Sequence, residues 1–353
     1  MKIKATKSEL ASNKKLIQNA LFFVGGVTFF SLLSPVISDN MNPYLFSILM
    51  YAGINMILAA SLNLVNGLTG QFSMGHAGFM SVGAYMSSYL TVTYFSAVQL
   101  GVLPEISNAV LFGIALLAGG LFSALLGVLV GLPSLRLKGD YLAIVTLGFG
   151  EIIRVLILNI DAVGGARGLP GIPKWTTFGW VYSIAFLCIL ILRKMISSSH
   201  GRALLAIRED EIAAEAMGVH TTFYKVFAFA VGAFFAGVAG GLFGHFLTYL
   251  NPQTFDFNRS FEVIIMVVLG GMGSCTGAVV AAVFLTVLRE VLRPLQEITQ
   301  LDFRMVIYSL LLIVLMLTRP SGFFGRKELS DLKIYKKISK ALSQIFSKGR
   351  SIG

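Results

Sequence analysis

Apolar residues in this chain neither alternate nor recur on one helix face; they run in blocks of about twenty, parted by short polar or glycine-rich stretches. Such blocks predict membrane-crossing helices over residues 16–36, 44–64, 72–95, 107–131, 141–160, 178–196 and 224–247. The first follows Lys2, Lys4, Lys7, Lys14 and Lys15 and superficially resembles a secretory signal. Its apolar core exceeds the roughly 7 to 15 residues of a cleavable signal, so it is read as an uncleaved span with the N-terminus in the cytoplasm. On that count, two basic loops fall on the cytoplasmic side: 133–140 with Arg136 and Lys138, and 197–222 with Arg202 and Arg208.

The apolar stretch 261–293 decides the remaining topology. A single crossing would put the tail outside, although it carries Arg326, Lys327, Lys333, Lys336, Lys337, Lys340, Lys348 and Arg350 against Glu328 and Asp331. Two crossings are therefore expected, with a turn at Gly270, Gly271, Met272 and Gly273 between a short helix and a second one from about Cys275. A last span at 304–318 completes an all-α polytopic bundle of about ten transmembrane helices with both ends cytoplasmic. The expected organisation is a basic segment 1–15, a transmembrane domain 16–318 and a basic tail 319–353.

Composition sharpens this reading. Of 353 residues, 56% are hydrophobic and 13% charged, and the mean hydropathy is +0.79, which excludes an ordinary water-soluble enzyme, a disordered chain and a disulfide scaffold. Cys188 and Cys275 both lie in apolar surroundings and read as packing residues. The net charge of +11 sits at the chain ends and in short loops, a pattern of membrane orientation rather than nucleic-acid binding. No nucleotide loop, nucleophile elbow or metal-type histidine spacing occurs, so neither a catalytic centre, a metal nor a bound cofactor is expected on this chain.

Three glycine-rich interruptions are candidates for a solute path: GLTGQFSMGHAGFMSVG (67–83), LGFG (147–150) and LGGMGSCTG (269–277). Broken helices are tolerated where freed backbone groups face protein or a watery cavity, and glycines equally allow close helix packing. The third is read as a break; for LGFG the packing reading stands level. Candidate path residues are Gly70, Gln71, Ser73, Gly75, His76, Thr146, Gly148, Gly150, Glu151, Gly270, Gly271 and Gly273. Glu151 lies within a span three residues before Arg154, so it is either a functional charge or half of a neutralising pair on one helix face. His76 could line a path or serve as a hydrogen-bonded packing residue.

The loop GRALLAIREDEIAAEAMGV (201–219) is full of good helix formers and predicts one exposed helix stopped at Gly218. It is longer than the 2 to 8 residues usual between helices. Small alanines beside acids suit either a docking surface or a solvated linker.

These residues resemble the LivM-type integral-membrane subunits of ABC importers for branched-chain amino acids. The resemblance rests on TGQFSMGHAGFMSVGAY (69–85), LKGDYLAIVTLGFGEIIRVLILN (137–159), GGARGLPGIP (164–173), the loop above, MVVLGGMGSCTGA (266–278) and RPSGFFG (319–325). It implies a bacterial inner-membrane permease that pairs with a homologous LivH-type permease, two cytoplasmic ATPases that bind the ATP, and a periplasmic amino-acid-binding protein. Residues 209–218 look like the family's ATPase-coupling loop, which, together with the preceding Arg208, assigns Arg208, Glu209, Asp210, Ala213, Ala214, Glu215, Ala216 and Gly218 to coupling. His220 departs from the pattern, a smaller polar residue being commoner there, and the tail after Gly325 looks like an addition. Urea-importer permeases share much of this patterning and give the alternative substrate; a proton-coupled carrier using Glu151 and a passive channel are the rivals in mechanism.

Overall fold

The computed structural model describes residues 25–95, 104–135, 137, 139–293, 303–318 and 322–325. The N-terminal lysines, the beginning of the first predicted span, Arg136, Lys138, Arg319 and the tail from Arg326 lie outside the described residues. Among the described residues the chain is helical, with one isolated antiparallel bridge between Leu169 and Leu250.

Helix α1 covers 25–40 and α2 covers Pro43–Asn63, continued by a π-helical turn at Leu64–Leu68. A strap without regular secondary structure over 69–75 then leads into α3, His76–Leu90. Helix α4 (Pro104–Ser134), α5 (Asp140–Leu158) and α6 (Phe178–Ser197) follow. Two short helices, α7 (Ser199–Glu209) and α8 (Glu211–Ala216), precede α9, Thr221–Leu247. The hairpin of α10 (Phe257–Gly270) and α11 (Cys275–Val291) and the last helix α12 (Phe303–Thr318) complete the order.

Each of the ten predicted segments thus contains a helix. Among the described residues, five helices are long and apolar enough to cross a membrane by length and composition: Pro43–Leu68, Ser107–Ser134, Asp140–Leu158, Phe178–Ser197 and Thr221–Leu247. The prediction that 72–95 is one helix needs correcting, because residues 72–75 belong to the strap and the helix begins at His76. Asn66 holds the strap open: its side chain accepts from the Ser73 amide at 3.1 Å and donates to the Ser73 carbonyl at 3.3 Å. Those bonds satisfy backbone groups that a helix would otherwise have paired.

Helix α9 is the axis of the bundle and packs between α2, α3 and α4. Gly240 lets α3 approach so closely that any β-carbon there would run into the Met80 carbonyl. Around this axis lie fully buried apolar side chains including Phe112, Met50, Ile54, Leu58 and Leu242.

The α10–α11 hairpin is placed by polar contacts at both ends. Arg259 meets Asn55, which stands twelve residues along α2 from Pro43, about 18 Å by helical rise. Helix α10 therefore starts roughly halfway along α2. Its other end lies against the end of α2, where Asn63 Oδ1 accepts from the Gly273 amide at 2.8 Å.

Candidate functional site

The end of the bundle that carries α7 and α8 also gathers two of the three glycine-rich interruptions. Helix α10 stops at Gly270, and α11 starts after Ser274, whose hydroxyl caps it by accepting from the Gly277 amide at 3.1 Å. The turn between them needs Gly271 at φ +107° and Gly273 at φ +99°, conformations that side-chain-bearing residues rarely adopt. The segment 322–325 closes over this turn: the amides of Phe323 and Phe324 donate to the carbonyls of Leu269 and Gly270 at 2.9 and 3.2 Å. These bonds take up two of the carbonyls that α10 leaves free at its C-terminus. The third interruption is thus a real break, located beside the α7–α8 loop rather than midway along the bundle.

The strap is the first interruption. Its Met74 amide donates to Thr146 Oγ1 on α5 at 3.0 Å, and Gly75 packs directly on the Thr146 backbone. Gly150 approaches Gly75 from the same helix. Gly70, Gln71, Ser73, Gly75, Thr146 and Gly150 are therefore one assembly. His76 is buried at the start of α3 with Nε2 2.9 Å from Ser61 Oγ.

The LGFG stretch does not interrupt its helix: α5 runs unbroken through it, and Gly150 serves close packing against the strap. Gly148 faces outward instead, with open space where a β-carbon would stand. Glu151 also points away from the strap and forms an ion pair with Arg154 at 2.6 Å; their side chains are 35% and 25% exposed. An ionised pair one helical turn apart neutralises itself, which lowers the cost of carrying charge on a membrane helix.

The predicted single rod over 201–219 is two helices. Asp210 breaks it with an extended backbone and caps α8, its Oδ1 accepting from the amides of Ile212 and Ala213 at 2.9 and 3.1 Å. Gly218 closes α8 at φ +85°. Lys225 on α9 donates to Glu211 at 2.6 Å and ties the unit to the bundle. Ala213, Glu215, Ala216 and Gly218 face outward, whereas Ala214 is buried against the bundle. Two residues the sequence reading passed over, Ile212 and Met217, are 75% and 85% exposed. Their signal was available as apolar side chains in an otherwise polar loop.

Arg208 joins the loop to both interruptions. Its Nη1 donates to the Gly67 carbonyl in the π-helical turn at 2.7 Å, and its Nη2 pairs with Glu209 at 3.0 Å. A β-carbon on Gly70 would meet the Arg208 stem, and one on Gly273 would meet Nη1. Two open clefts lie elsewhere. One of about 330 Å³ is apolar, between α3, α4 and α5, with Tyr85 and Ile157 in its wall; one of about 600 Å³ lies between α1 and α6, edged by Ser31, Ser34 and Ser183.

The family model for the permease component of branched-chain amino acid transport systems matches residues 44–316. The chain is 37% identical over 304 residues to the high-affinity branched-chain amino acid transport system permease protein LivM of Salmonella typhimurium, covering 76% of this chain and 67% of that protein. Against LivM of Escherichia coli the identity is 36% over the same shares. LivH of Escherichia coli is 33% identical over 153 residues, 43% of this chain and 48% of that protein. No solved structure matches. With a strap, a broken hairpin and a membrane-scale helix bundle inside the matched region, the chain belongs to the family of branched-chain amino acid transport system permeases.

Proposed function

We propose that this chain is a non-catalytic membrane subunit of an ATP-driven importer for leucine, isoleucine and valine. In this reading it forms the solute path with a homologous LivH-type permease, two cytoplasmic ATPases act on the α7–α8 loop, and a periplasmic binding protein delivers the amino acid. The segments cross the bacterial inner membrane ten times, with both ends and α7–α8 in the cytoplasm.

One observation carries the reading. The loop presents Ile212 and Met217 to solvent on a short capped helix, and the same loop is bonded through Arg208 to the backbone of a helix break. Large apolar side chains held outward on a polar loop cost hydration, and covering each would return about 1.5–3 kcal/mol. A protein surface pressing on that helix would therefore be held by Ile212 and Met217 and would act on the strap and the α10–α11 turn.

The path itself needs only weak sites. A zwitterion crossing between the strap, α5 and the partner permease meets backbone groups and hydroxyls, and a tight site would retard release. The Glu151–Arg154 pair argues against a proton carrier at this position, because the carboxylate is already committed to a guanidinium.

Reconstitution in proteoliposomes tests the proposal. Radiolabelled leucine should accumulate only when the homologous permease, both ATPases, the binding protein and ATP are present. Accumulation by this chain alone under a pH gradient, or downhill flux without ATP, would replace the proposal by a carrier or a channel. Transport of urea in place of leucine would correct the substrate and leave the mechanism standing.

A further inference from the structure

We propose that Arg208 is the positioning residue through which motion of the α7–α8 loop reaches both helix breaks at once, an inference that rests on the importer reading above.

The geometry is specific. The Arg208 side chain is 14% exposed although α7 lies on the outside of the bundle, so it is inserted rather than solvated. Its Nη1 bonds the Gly67 carbonyl at 2.7 Å, inside the π-helical turn where α2 gives way to the strap. Such turns leave carbonyls poorly paired within the helix, and a guanidinium supplies a charged donor to one of them. The stem lies against Gly70 of the strap, and the same Nη1 stands where a side chain on Gly273, in the hairpin turn, would have to go. Asn63, one turn before Gly67, holds the Gly273 amide. Loop, strap and hairpin turn therefore share one side chain and one helix end.

Two groups in this cluster are unsatisfied. Arg208 Nε is a buried donor and Gln71 Oε1 a buried acceptor, each with no partner among the described residues. Gln71 follows Gly70, the residue against which the Arg208 stem packs. The two orphans are complementary, and unpaired buried polar groups carry a standing cost. A movement of the loop that brought Nε and Oε1 together would remove that cost.

The test uses the complete reconstituted importer and the purified full chain. Arg208→Met keeps the apolar stem and removes the donors; Arg208→Lys restores charge and one donor. Leucine taken up per ATP hydrolysed should fall about tenfold in Arg208→Met while hydrolysis stays within about twofold of the parent, and Arg208→Lys should recover at least about half of the lost ratio. An unchanged ratio in Arg208→Met overturns the inference, as does a proportional fall of hydrolysis and uptake, which marks a role in docking or folding alone. A second readout is independent of transport, so that failure of the parent importer to move leucine counts against the functional reading only. Amide hydrogen exchange over residues 69–75 and 271–274 should quicken at least about fivefold in Arg208→Met. Unchanged protection at either segment overturns the inference whatever the transport result.

Discussion

Arg259 Nη2 donates to Asn55 Oδ1 at 2.8 Å, joining helices whose contacting residues are 204 positions apart in the chain. Asn55 also donates to Thr286 Oγ1 at 2.8 Å, and Arg259 pairs with Glu262 at 2.9 Å, so one buried amide links α2, α10 and α11. Asn55→Leu would leave the guanidinium with Glu262 and the face of the Phe243 ring, and the threonine hydroxyl with a backbone acceptor alone. We expect a loss of about 3 kcal/mol, read as a lowered thermal midpoint of the purified chain in detergent. A midpoint equal to the parent's would show that the hairpin is held elsewhere.

Glycines at two kinds of site should behave oppositely. Gly240→Val places a side chain against the Met80 carbonyl and should force α3 and α9 apart, costing about 1–3 kcal/mol or preventing stable insertion. Gly148→Ala adds a methyl into open space on a continuous helix and should raise stability by up to about 1 kcal/mol. Thermal midpoints of the two variants check both signs in one experiment.

Charge at Glu151 distinguishes a structural pair from a proton carrier. If the carboxylate only neutralises Arg154, Glu151→Gln alone should destabilise the chain by about 2–3 kcal/mol, and Glu151→Gln with Arg154→Gln should regain most of that loss together with leucine uptake. Uptake abolished equally in the single and double variants would make Glu151 a mechanistic group.

Reversing charge on the outward face of α8 tests docking. Glu215→Arg should lower binding of the ATPases about tenfold or more while the chain still inserts, because Glu215 is exposed and carries no contact within the bundle that insertion needs. Co-purification of the ATPases from membranes, followed by uptake in vesicles, measures it; parent-like values in both would remove Glu215 from the interface.

Much of this architecture was legible in the chain. Blocks of apolar residues located the helices because membrane-scale burial leaves a local, length-dependent signature. The break at Gly271 to Gly273 was legible for the same reason, since a turn with left-handed backbone demands glycine at those positions. In the sequence LGFG reads equally as packing or as a break because both call for the same residue, and only the approach of Gly75 separates them. The division of α7 from α8 was present in Asp210, a strong capping residue, but was outweighed by the helix formers around it. The contact of Arg208 with Gly67 spans 141 positions and has no local signature, so a basic residue in a loop read only as orientation and docking. Ala214 was placed with its neighbours by composition, although helical geometry turns it inward.

The coupling role requires the α7–α8 loop to lie on the cytoplasmic face and to be covered there by the ATPases. Met217→Cys provides the probe, since the side chain is 85% exposed while the native Cys188 and Cys275 are buried and should stay silent toward a membrane-impermeant maleimide. Labelling should occur in inside-out vesicles stripped of ATPases, be blocked when purified ATPases are returned, and be absent in intact cells. Labelling from the outer face of intact cells, or labelling in inside-out vesicles that the ATPases leave unchanged, would contradict the coupling role assigned to this loop.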